Sequence, residues 1–342
     1  MSEVKLLGTG SSVPEKIVTN DDLAGLVETN DEWIRTRTGI CRRHIVTKET
    51  LTSMSVEASR RALEAAGIEP MDLDMIIVAT LTPDEPLPNA SSAVQKALGA
   101  HRAFCFDLSA ACSGFVYAMG CAAMYIKGGA ARHVLVIGAE VLSKIVDWHD
   151  RKTCILFGDG AGAAVLGSAS QPGFLGMDMG TDGWRGNTLT MFERDMDNPF
   201  MTEAQKNAVN MESDEACKIR PRSRYVYMDG PEVFKFAVKQ VPDSIHKLLD
   251  AQGLSVANID HFVLHQANYR IIESVAKRLK VSLDKFIITI DEYGNTSAAS
   301  VPLALDELVR SGRVRPGDRL MISGFGGGLT WGSVLWQIQD ND

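Results

Sequence analysis

The hydrophobic and polar positions of this 342-residue chain follow one order twice. In "ALEAAGIEPMDLDMIIVAT" (62–80) and "LLDAQGLSVANIDHFVLHQ" (248–266), an amphipathic helix ends at a glycine, and a polar loop with an aspartate precedes a buried strand. The separation along the chain is constant, since Gly67 matches Gly253 and Asp74 matches Asp260 at the same offset. The pattern predicts two related units, each built from helices that alternate with buried strands.

The offset continues towards the C-terminal end of each unit. The apolar strands "VLVIG" (134–138) and "LMISG" (320–324) have the same separation along the chain. Strands that alternate with helices favour parallel pairing through right-handed crossovers, so the fold class is α/β. We expect an N-terminal half at 1–170 and a C-terminal half at 171–342. The polar, aperiodic segment 187–225 has no counterpart and is interpreted as an insertion or lid.

Composition narrows the class of protein. The chain is 45% hydrophobic and 23% charged, as in ordinary globular proteins, and it contains no apolar run long enough to span a membrane. Its start lacks the features of a signal peptide. Six cysteines without CxxC spacing indicate reduced thiols and a cytoplasmic location. A net charge of −8 argues against nucleic-acid binding.

The stretch "FDLSAACSGFVYAMG" (106–120) contains the first candidate for chemistry, Cys112. Small residues precede the cysteine where a predicted strand gives way to an apolar helix. The free N–H groups and positive dipole end of that helix would favour a thiolate. The alternative, a small buried hydrophobic residue, stays open on this observation alone.

Two further candidates follow from the repeat. His265 ends the strand in "VLHQAN", and Asn295 lies in "YGNTSAAS", the loop that corresponds to the Cys112 segment. Because related positions of a duplicated α/β fold meet at strand ends, we expect these three side chains to converge. A neutral histidine and an amide could both donate to an oxyanion. A helix cap and a simple turn remain alternatives for them.

Two glycine-rich segments are interpreted from the secondary structure predicted next to them. "GFGGG" (324–328) follows a strand and could supply an oxyanion hole, although a tight hairpin turn is the alternative. "FGDGAGAAVLG" (157–167) leads into a strand-like run and not a helix, so nicotinamide binding is rejected. No His, Asp and Glu cluster has metal-ligand spacing. We therefore predict no metal and no nicotinamide cofactor.

In this order, "AACSGF", "HQAN", "GNTSAASVP" and "GFGGGLTWGS" resemble a β-ketoacyl-acyl carrier protein synthase III of the thiolase superfamily. "TNDEWIRTRTGI" (29–40) and "DRKTCILFGDGAGAAV" (150–165) match it as well. The resemblance covers most of the chain apart from 187–225. It implies a duplicated five-layer α-β-α-β-α fold with mixed, mainly parallel sheets, and a homodimer that initiates fatty acid synthesis.

The resemblance also implies a role for each candidate. Cys112 would take an acyl group from acyl-CoA, with the backbone amides of Cys112 and Gly327 as the oxyanion hole. His265 and Asn295 would stabilise the enolate formed when malonyl-acyl carrier protein loses CO2. The carbanion would then attack the acyl group on Cys112 to give a 3-ketoacyl product.

Further residues acquire binding roles in the same way. The contacts implied for CoA are Thr29, Trp33, Arg37, Arg151, Gly230 and Asn268. Phe325 and Leu87 would shape the acyl pocket, Leu87 from the partner subunit, where many members carry an aromatic residue. The residues implied for docking of the acidic carrier protein are Lys235, Arg270, Lys277 and Arg278.

Three alternatives to this function remain. A starter-unit ketosynthase of secondary metabolism and an acyl-CoA condensing enzyme have the same three site residues. A thiolase is disfavoured, because it needs a second cysteine where this chain has "GFGGG". A non-catalytic scaffold subunit is the remote alternative.

Overall fold

The computed structural model describes residues 2–192, 198–209, 211–213, 219–221 and 224–339. The predicted insertion at 187–225 therefore lies partly outside the described residues. None of the helices within these ranges is long and apolar enough to cross a membrane.

Strands and helices alternate along both halves of the described chain. The strands are β1 (Glu3–Ser12), β2 (Ile17–Thr19), β3 (Arg42–His44), β4 (Met75–Ala79), β5 (Phe104–Leu108), β6 (His133–Val141), β7 (Asp159–Ala169), β8 (Phe174–Thr181), β9 (Leu189–Thr190), β10 (Met211–Ser213), β11 (Ile219–Pro221), β12 (Tyr227–Met228), β13 (His261–Leu264), β14 (Arg319–Gly326) and β15 (Thr330–Gln337). The α-helices are α1 (Asn20–Ala24), α2 (Asp31–Thr38), α3 (Leu51–Ala66), α4 (Ala90–Leu98), α5 (Gly114–Lys127), α6 (Arg151–Cys154), α7 (Glu203–Val209), α8 (Gly230–Ala251), α9 (Tyr269–Leu279), α10 (Ile290–Tyr293) and α11 (Ser300–Arg310).

Equivalent elements of the two halves start at one constant offset along the chain, as the sequence pattern predicts. The pairs of first residues are Met75 of β4 with His261 of β13, Gly114 of α5 with Ser300 of α11, and His133 of β6 with Arg319 of β14. The backbone repeats in detail, since α3 and α8 are both followed by a glycine in the left-handed region, at φ of 64° and 65°.

Five layers result from this duplication. One large sheet has the strand order β1-β7-β6-β4-β5, and the other has the order β13-β14-β15-β8. Helices α5 and α11 lie between the two sheets in a shared apolar core. Helices α3 and α4 cover the outer face of the first sheet, and α8 and α9 cover that of the second. The predicted five-layer α-β-α-β-α architecture is confirmed.

Both sheets are mixed, as predicted, but parallel pairs do not predominate. Between the named strands of the two sheets, three pairings are parallel and four are antiparallel. The helix–strand alternation reveals only the strands that are joined by crossover helices. β7 and β15 return beside β6 and β14 without such a helix, so they pair antiparallel.

The predicted division at residues 170 and 171 falls between β7 and β8, which belong to different sheets. The division itself stays a prediction. Within the part of 187–225 that the structure describes, β9 pairs with β12 and contributes to neither large sheet.

The two halves are in close contact at Gly138 of β6. A Cβ atom at this position would lie 2.2 Å from the carbonyl oxygen of Ala298, in the turn before α11. No side chain fits there without moving the backbone, so the contact between halves requires glycine at this position.

We expect Gly138→Ala to lower the free energy of unfolding by about 1–3 kcal/mol, because the methyl group forces the turn before α11 away from β6. Gly183→Ala is the matched control, since a Cβ there meets nothing within 4 Å. Urea unfolding followed by circular dichroism measures both variants. Equal stability of the two variants would contradict the close contact.

Candidate active site

A largely apolar cavity of about 200 Å³ lies where the strand ends of both halves meet. Its lining includes Cys112 from the first half and His265 and Asn295 from the second. These three side chains are 7%, 2% and 6% exposed, so the cavity removes them almost completely from bulk water. The convergence inferred from the repeat is therefore present in the structure.

Cys112 lies in a single 3-10 turn, Ala111–Ser113, between β5 and α5. Ala111 adopts a φ of 46°, which is uncommon for a residue with a side chain. The end of β14 lies directly against this turn, because a Cβ on Gly326 would be 2.8 Å from the Cys112 nitrogen. The position of the thiol thus depends on a glycine of the second half.

Burial decides the charge state of Cys112. It raises the pKa of the thiol to about 12, although a hydrogen bond with Ser297 acts in the opposite direction. The sequence-based expectation, in which the start of α5 favours the thiolate, is wrong, because desolvation raises the pKa of the buried thiol. The thiol is therefore protonated at neutral pH.

His265 is neutral for the same reason. Burial lowers the pKa of its imidazole to about 3. Its Nδ1 atom lies 2.5 Å from the hydroxyl oxygen of Ser300. The Ser300 hydroxyl has one hydrogen, which it can donate to this Nδ1 atom or to the carbonyl of Ser297 at 2.8 Å. In the first arrangement, the Nε2 atom carries the imidazole hydrogen and becomes a donor. The Phe325 ring packs edge-on against the imidazole, with centroids 5.1 Å apart, and lines the same cavity.

Asn295 is oriented by the backbone that follows it. The N–H of Ser297 donates to Asn295 Oδ1 at 2.9 Å, and the Asn295 N–H donates to the carbonyl of Leu156 at 2.8 Å. With its oxygen occupied in this way, the side chain offers its amide nitrogen to a ligand. Both His265 and Asn295 can therefore supply neutral hydrogen-bond donors beside the Cys112 sulfur.

Several residues implied by the family resemblance line the same cavity. Gly327 lies next to the Cys112 turn, and Gly230 and Asn268 lie at the starts of α8 and α9. The Asn268 side chain caps α9 and donates to the carbonyl of Arg37 at 3.1 Å. This bond connects the cavity to α2, which carries the predicted nucleotide contacts.

Those contacts form a cluster around one indole ring. The guanidinium carbons of Arg37 and Arg151 lie 5.5 Å and 4.9 Å from the centroid of the Trp33 ring. Arg151 is fixed further by a 2.8 Å bond to the carbonyl of Glu28. The Thr29 hydroxyl is buried and has no hydrogen-bond partner among the described residues. Cations, an aromatic face and an unsatisfied hydroxyl are groups that can bind the phosphates and the adenine ring of a nucleotide.

The remaining predicted residues lie on the surface. Leu87 is 86% exposed and is absent from the lining of the cavity in this chain. Lys235 pairs with Glu232 at 2.7 Å, and Arg278 pairs with Asp243 at 3.2 Å.

The predicted docking residues therefore do not act as one uncompensated basic cluster. Arg270 donates to the carbonyl of Thr36 at 2.9 Å, and its side chain and that of Lys277 are both exposed. Arg270 and Lys277 carry most of the positive charge on the exposed side of α9.

The sequence analysis missed Glu140, Ser297 and Ser300. Glu140 is a carboxylate at the end of the apolar strand "HVLVIGAEV", and this isolated charge was a signal that could have revealed it. The sequence around Ser297 and Ser300 indicated only a turn and no role for either hydroxyl. Leu189, near the start of the predicted lid, and Met228, just after its end, also line the cavity.

Among the residues that the structure describes, no group of three or more His, Cys, Asp or Glu side chains could hold a metal ion. The chemistry available to the site is that of a thiol and neutral hydrogen-bond donors. These groups suit acyl transfer and the stabilisation of an oxyanion.

A duplicated five-layer fold whose halves meet at a buried cysteine is the architecture of the thiolase-like condensing enzymes, and comparison with known proteins narrows this class. Sequence profiles of 3-oxoacyl-[acyl-carrier-protein] synthase III match residues 106–183, and the profile of its C-terminal part matches residues 249–338. The chain belongs to the β-ketoacyl-[acyl-carrier-protein] synthase III family, which confirms the resemblance and the prediction of an acyltransferase.

Individual relatives agree with this assignment. The β-ketoacyl-[acyl-carrier-protein] synthase III of Clostridium acetobutylicum is 46% identical over 98% of each chain. The crystal structure of 3-oxoacyl-[acyl-carrier-protein] synthase III from Aquifex aeolicus has 40% identity and a TM-score of 0.86, over 98% of this chain and 99% of that one. The priming β-ketosynthase of the R1128 polyketide pathway has 38% identity and a TM-score of 0.87, over 100% and 98%. The alternative of secondary metabolism is not favoured.

We expect Gly326→Ala to slow acyl transfer to Cys112 about 100-fold, because the added methyl group would push the Cys112 turn out of its position. Mass spectrometry of the acylated protein measures the rate. Gly183→Ala controls for the substitution as such. A Gly326→Ala variant that acylates like the wild type would contradict the dependence of Cys112 on β14.

Proposed function

We propose that this chain catalyses the decarboxylative Claisen condensation that initiates fatty acid synthesis, with acyl-CoA and malonyl-acyl carrier protein as substrates and 3-ketoacyl-acyl carrier protein as product. The observation that carries the proposal is the shared cavity of Cys112, His265 and Asn295 in a chain of this family. The reaction has two half-reactions, and each uses a different part of the site.

In the first half-reaction, the Cys112 sulfur forms a bond to the acyl carbonyl carbon and CoA leaves as a thiolate. The backbone N–H groups of Cys112 and Gly327 donate to the oxygen that becomes negative in the tetrahedral intermediate. Covalent capture divides the overall reaction into two smaller barriers. The small residues around the turn leave room for the thioester.

CoA binding uses the cluster around Trp33. The adenine ring stacks against Trp33 and Arg151, and Arg37 and Thr29 contact the nucleotide. The pantetheine arm then passes Asn268 and Gly230 to reach Cys112. Support comes from the cavity lining, which includes Asn268 and Gly230, and from the bond between Asn268 and Arg37.

In the second half-reaction, malonyl-acyl carrier protein loses CO2 and an enolate forms. The Nε2–H of His265 and the amide of Asn295 donate to its oxygen, and a neutral imidazole suits this task because its N–H is a far weaker acid than an imidazolium and does not transfer its proton to the enolate. The carbanion attacks the acyl group, a carbon–carbon bond forms, and Cys112 is released as a thiolate. Loss of CO2 supplies the driving force, so the reaction needs no cofactor.

The enzyme acts in the cytoplasm as a homodimer, and each chain has the two halves 1–170 and 171–342. Leu87, 86% exposed in one chain, then shapes the acyl pocket of the partner together with the partner's own residues. β5 is an edge strand with the exposed side chain of Phe104, which suits a contact between two copies. Phe325 and the segment 187–225 delimit the other side of the acyl pocket.

Incubation with a panel of acyl-CoA thioesters is expected to add one acyl mass to the wild type and none to Cys112→Ser, because the serine hydroxyl is a much weaker nucleophile in this site. Intact-protein mass spectrometry measures the adduct and also identifies the preferred acyl chain. A wild-type protein that stays unmodified across the panel rules out the first half-reaction, and with it the proposed function.

For carrier-protein docking, we expect Lys277→Glu and Arg270→Glu to raise KM for malonyl-acyl carrier protein on the order of five-fold each, with little change in KM for acyl-CoA. The reason is that an acidic partner meets reversed charge on the exposed side of α9. Arg60→Glu, at an exposed position of α3 on the opposite face of the molecule, is the matched control. Equal effects on both substrates would contradict docking at α9.

A further inference from the structure

One buried carboxylate at the site has no role in the chemistry described above. Glu140, at the end of β6, has no exposed surface, and burial raises its pKa to about 7. It accepts hydrogen bonds from the loop after β4 and from the turn that precedes α11. A carboxyl group that is half-protonated near neutral pH and lies behind a catalytic cysteine calls for a chemical explanation.

The two oxygens of Glu140 have different surroundings. Oε2 accepts from the hydroxyl of Thr82 at 2.5 Å, the N–H of Leu81 at 3.2 Å and the hydroxyl of Thr80 at 3.3 Å. The Thr82 hydroxyl is itself held by the Val141 N–H at 2.8 Å. Within the described residues, Oε1 accepts only from the Ser297 hydroxyl, at 3.1 Å. Because Oε2 already accepts three hydrogen bonds, a proton that reaches Glu140 binds to Oε1, the oxygen that faces Ser297.

Ser297 connects this oxygen to the nucleophile. Both residues line the cavity, and the Ser297 side chain lies close enough to the Cys112 thiol to lower the pKa of that thiol. Its backbone conformation matches that of the residue before Cys112, since Ala111 and Ser297 occupy equivalent positions of the repeat with φ of 46° and 48°. The hydroxyl of Ser297 thus lies between the thiol on one side and Glu140 on the other.

We propose that Glu140 accepts the proton of the Cys112 thiol through the hydroxyl of Ser297 during acyl transfer. The inference rests on the proposed function of Cys112 as the acylated residue. As the sulfur bonds to the acyl carbon, the S–H proton passes to Ser297 Oγ and the Ser297 hydroxyl proton passes to Glu140 Oε1. The bond between the acyl carbon and the CoA sulfur breaks, and the CoA thiolate takes a proton from water. When condensation later releases the Cys112 thiolate, the stored proton returns to it by the reverse path.

His265 is the alternative acceptor of the Cys112 proton, but it is a weaker base than Glu140. The pKa of His265 is lowered to about 3, so its imidazole holds a proton poorly, whereas Glu140 titrates near neutral pH. The other titratable groups in electrostatic range of Glu140 are Cys112 itself and Lys144, and Lys144 is shared with Asp84 and Asp159. Lys144 is held by the carbonyl of Thr82 at 2.7 Å, so it reaches Glu140 through space and takes no part in the proton path.

The test is the pH dependence of CoA release in the first turnover, measured by rapid quench from pH 5.5 to 9.5. The wild-type rate should rise through an apparent pKa near 7 and then level off, because Glu140 accepts a proton only when ionised. Glu140→Gln keeps the size of the side chain but cannot store the proton. We expect its rate at pH 8 to fall about 100-fold and to climb with hydroxide without levelling off.

Two variants separate the proton path from a loss of structure. Ser297→Ala removes the hydroxyl but keeps the N–H that orients Asn295, and Ala111 shows that alanine adopts this backbone conformation. It should reproduce the Glu140→Gln profile, and the double variant should be no slower than either single variant. Asp306→Asn is the matched control, since Asp306 is also buried and accepts from two hydroxyls, those of Thr9 and Ser11. It should keep the wild-type profile.

A Glu140→Gln or Ser297→Ala variant that retains the apparent pKa near 7, even at a lower rate, would overturn the proton path, and so would additive losses in the double variant. Alkylation of Cys112 by iodoacetamide over the same pH range repeats the test without an acyl donor. If the wild type accepts no acyl group from any acyl-CoA, the proposed function fails, while the alkylation profiles still decide the role of Glu140.

Discussion

The close contact between the Cys112 turn and the end of β14 is the constraint on which the site depends. A Cβ on Gly326 would lie 2.8 Å from the Cys112 nitrogen, so Cys112 of one half is positioned by the backbone of the other. The contact between Gly138 and Ala298 has the same character, with the roles of the two halves exchanged. Because rigid backbone meets rigid backbone in both places, neither half can move without displacing the groups that the other half positions.

Burial at this junction determines the chemistry of the titratable groups. The same desolvation keeps Cys112 protonated, His265 neutral and Glu140 close to its titration point at neutral pH. Cys112 and His265 therefore do not form a charged pair, and the groups that they present to the cavity are neutral. Such a site stabilises negative charge where it develops in the reaction and carries little charge of its own beforehand.

The internal repeat made much of this structure predictable from the sequence. It predicted which strands and helices of the two halves are equivalent, and it predicted that Cys112, His265 and Asn295 converge. The antiparallel return of β7 and β15 was not predictable, because helix–strand alternation carries no information on strands that lack a crossover helix. The charge state of Cys112 was missed as well, since the sequence shows the helix behind the thiol but not the atoms that exclude water from it. Pairing of Arg278 with Asp243 between two helices was likewise visible only in three dimensions.

The stack of Arg37 and Arg151 over Trp33 has a consequence for turnover. If the adenine of CoA binds at Trp33, as proposed, the two guanidinium groups beside the indole ring keep its face covered once the nucleotide has left. A covered ring exposes less apolar surface to water, so it lowers the free-energy cost of releasing CoA before the carrier protein delivers its malonyl group.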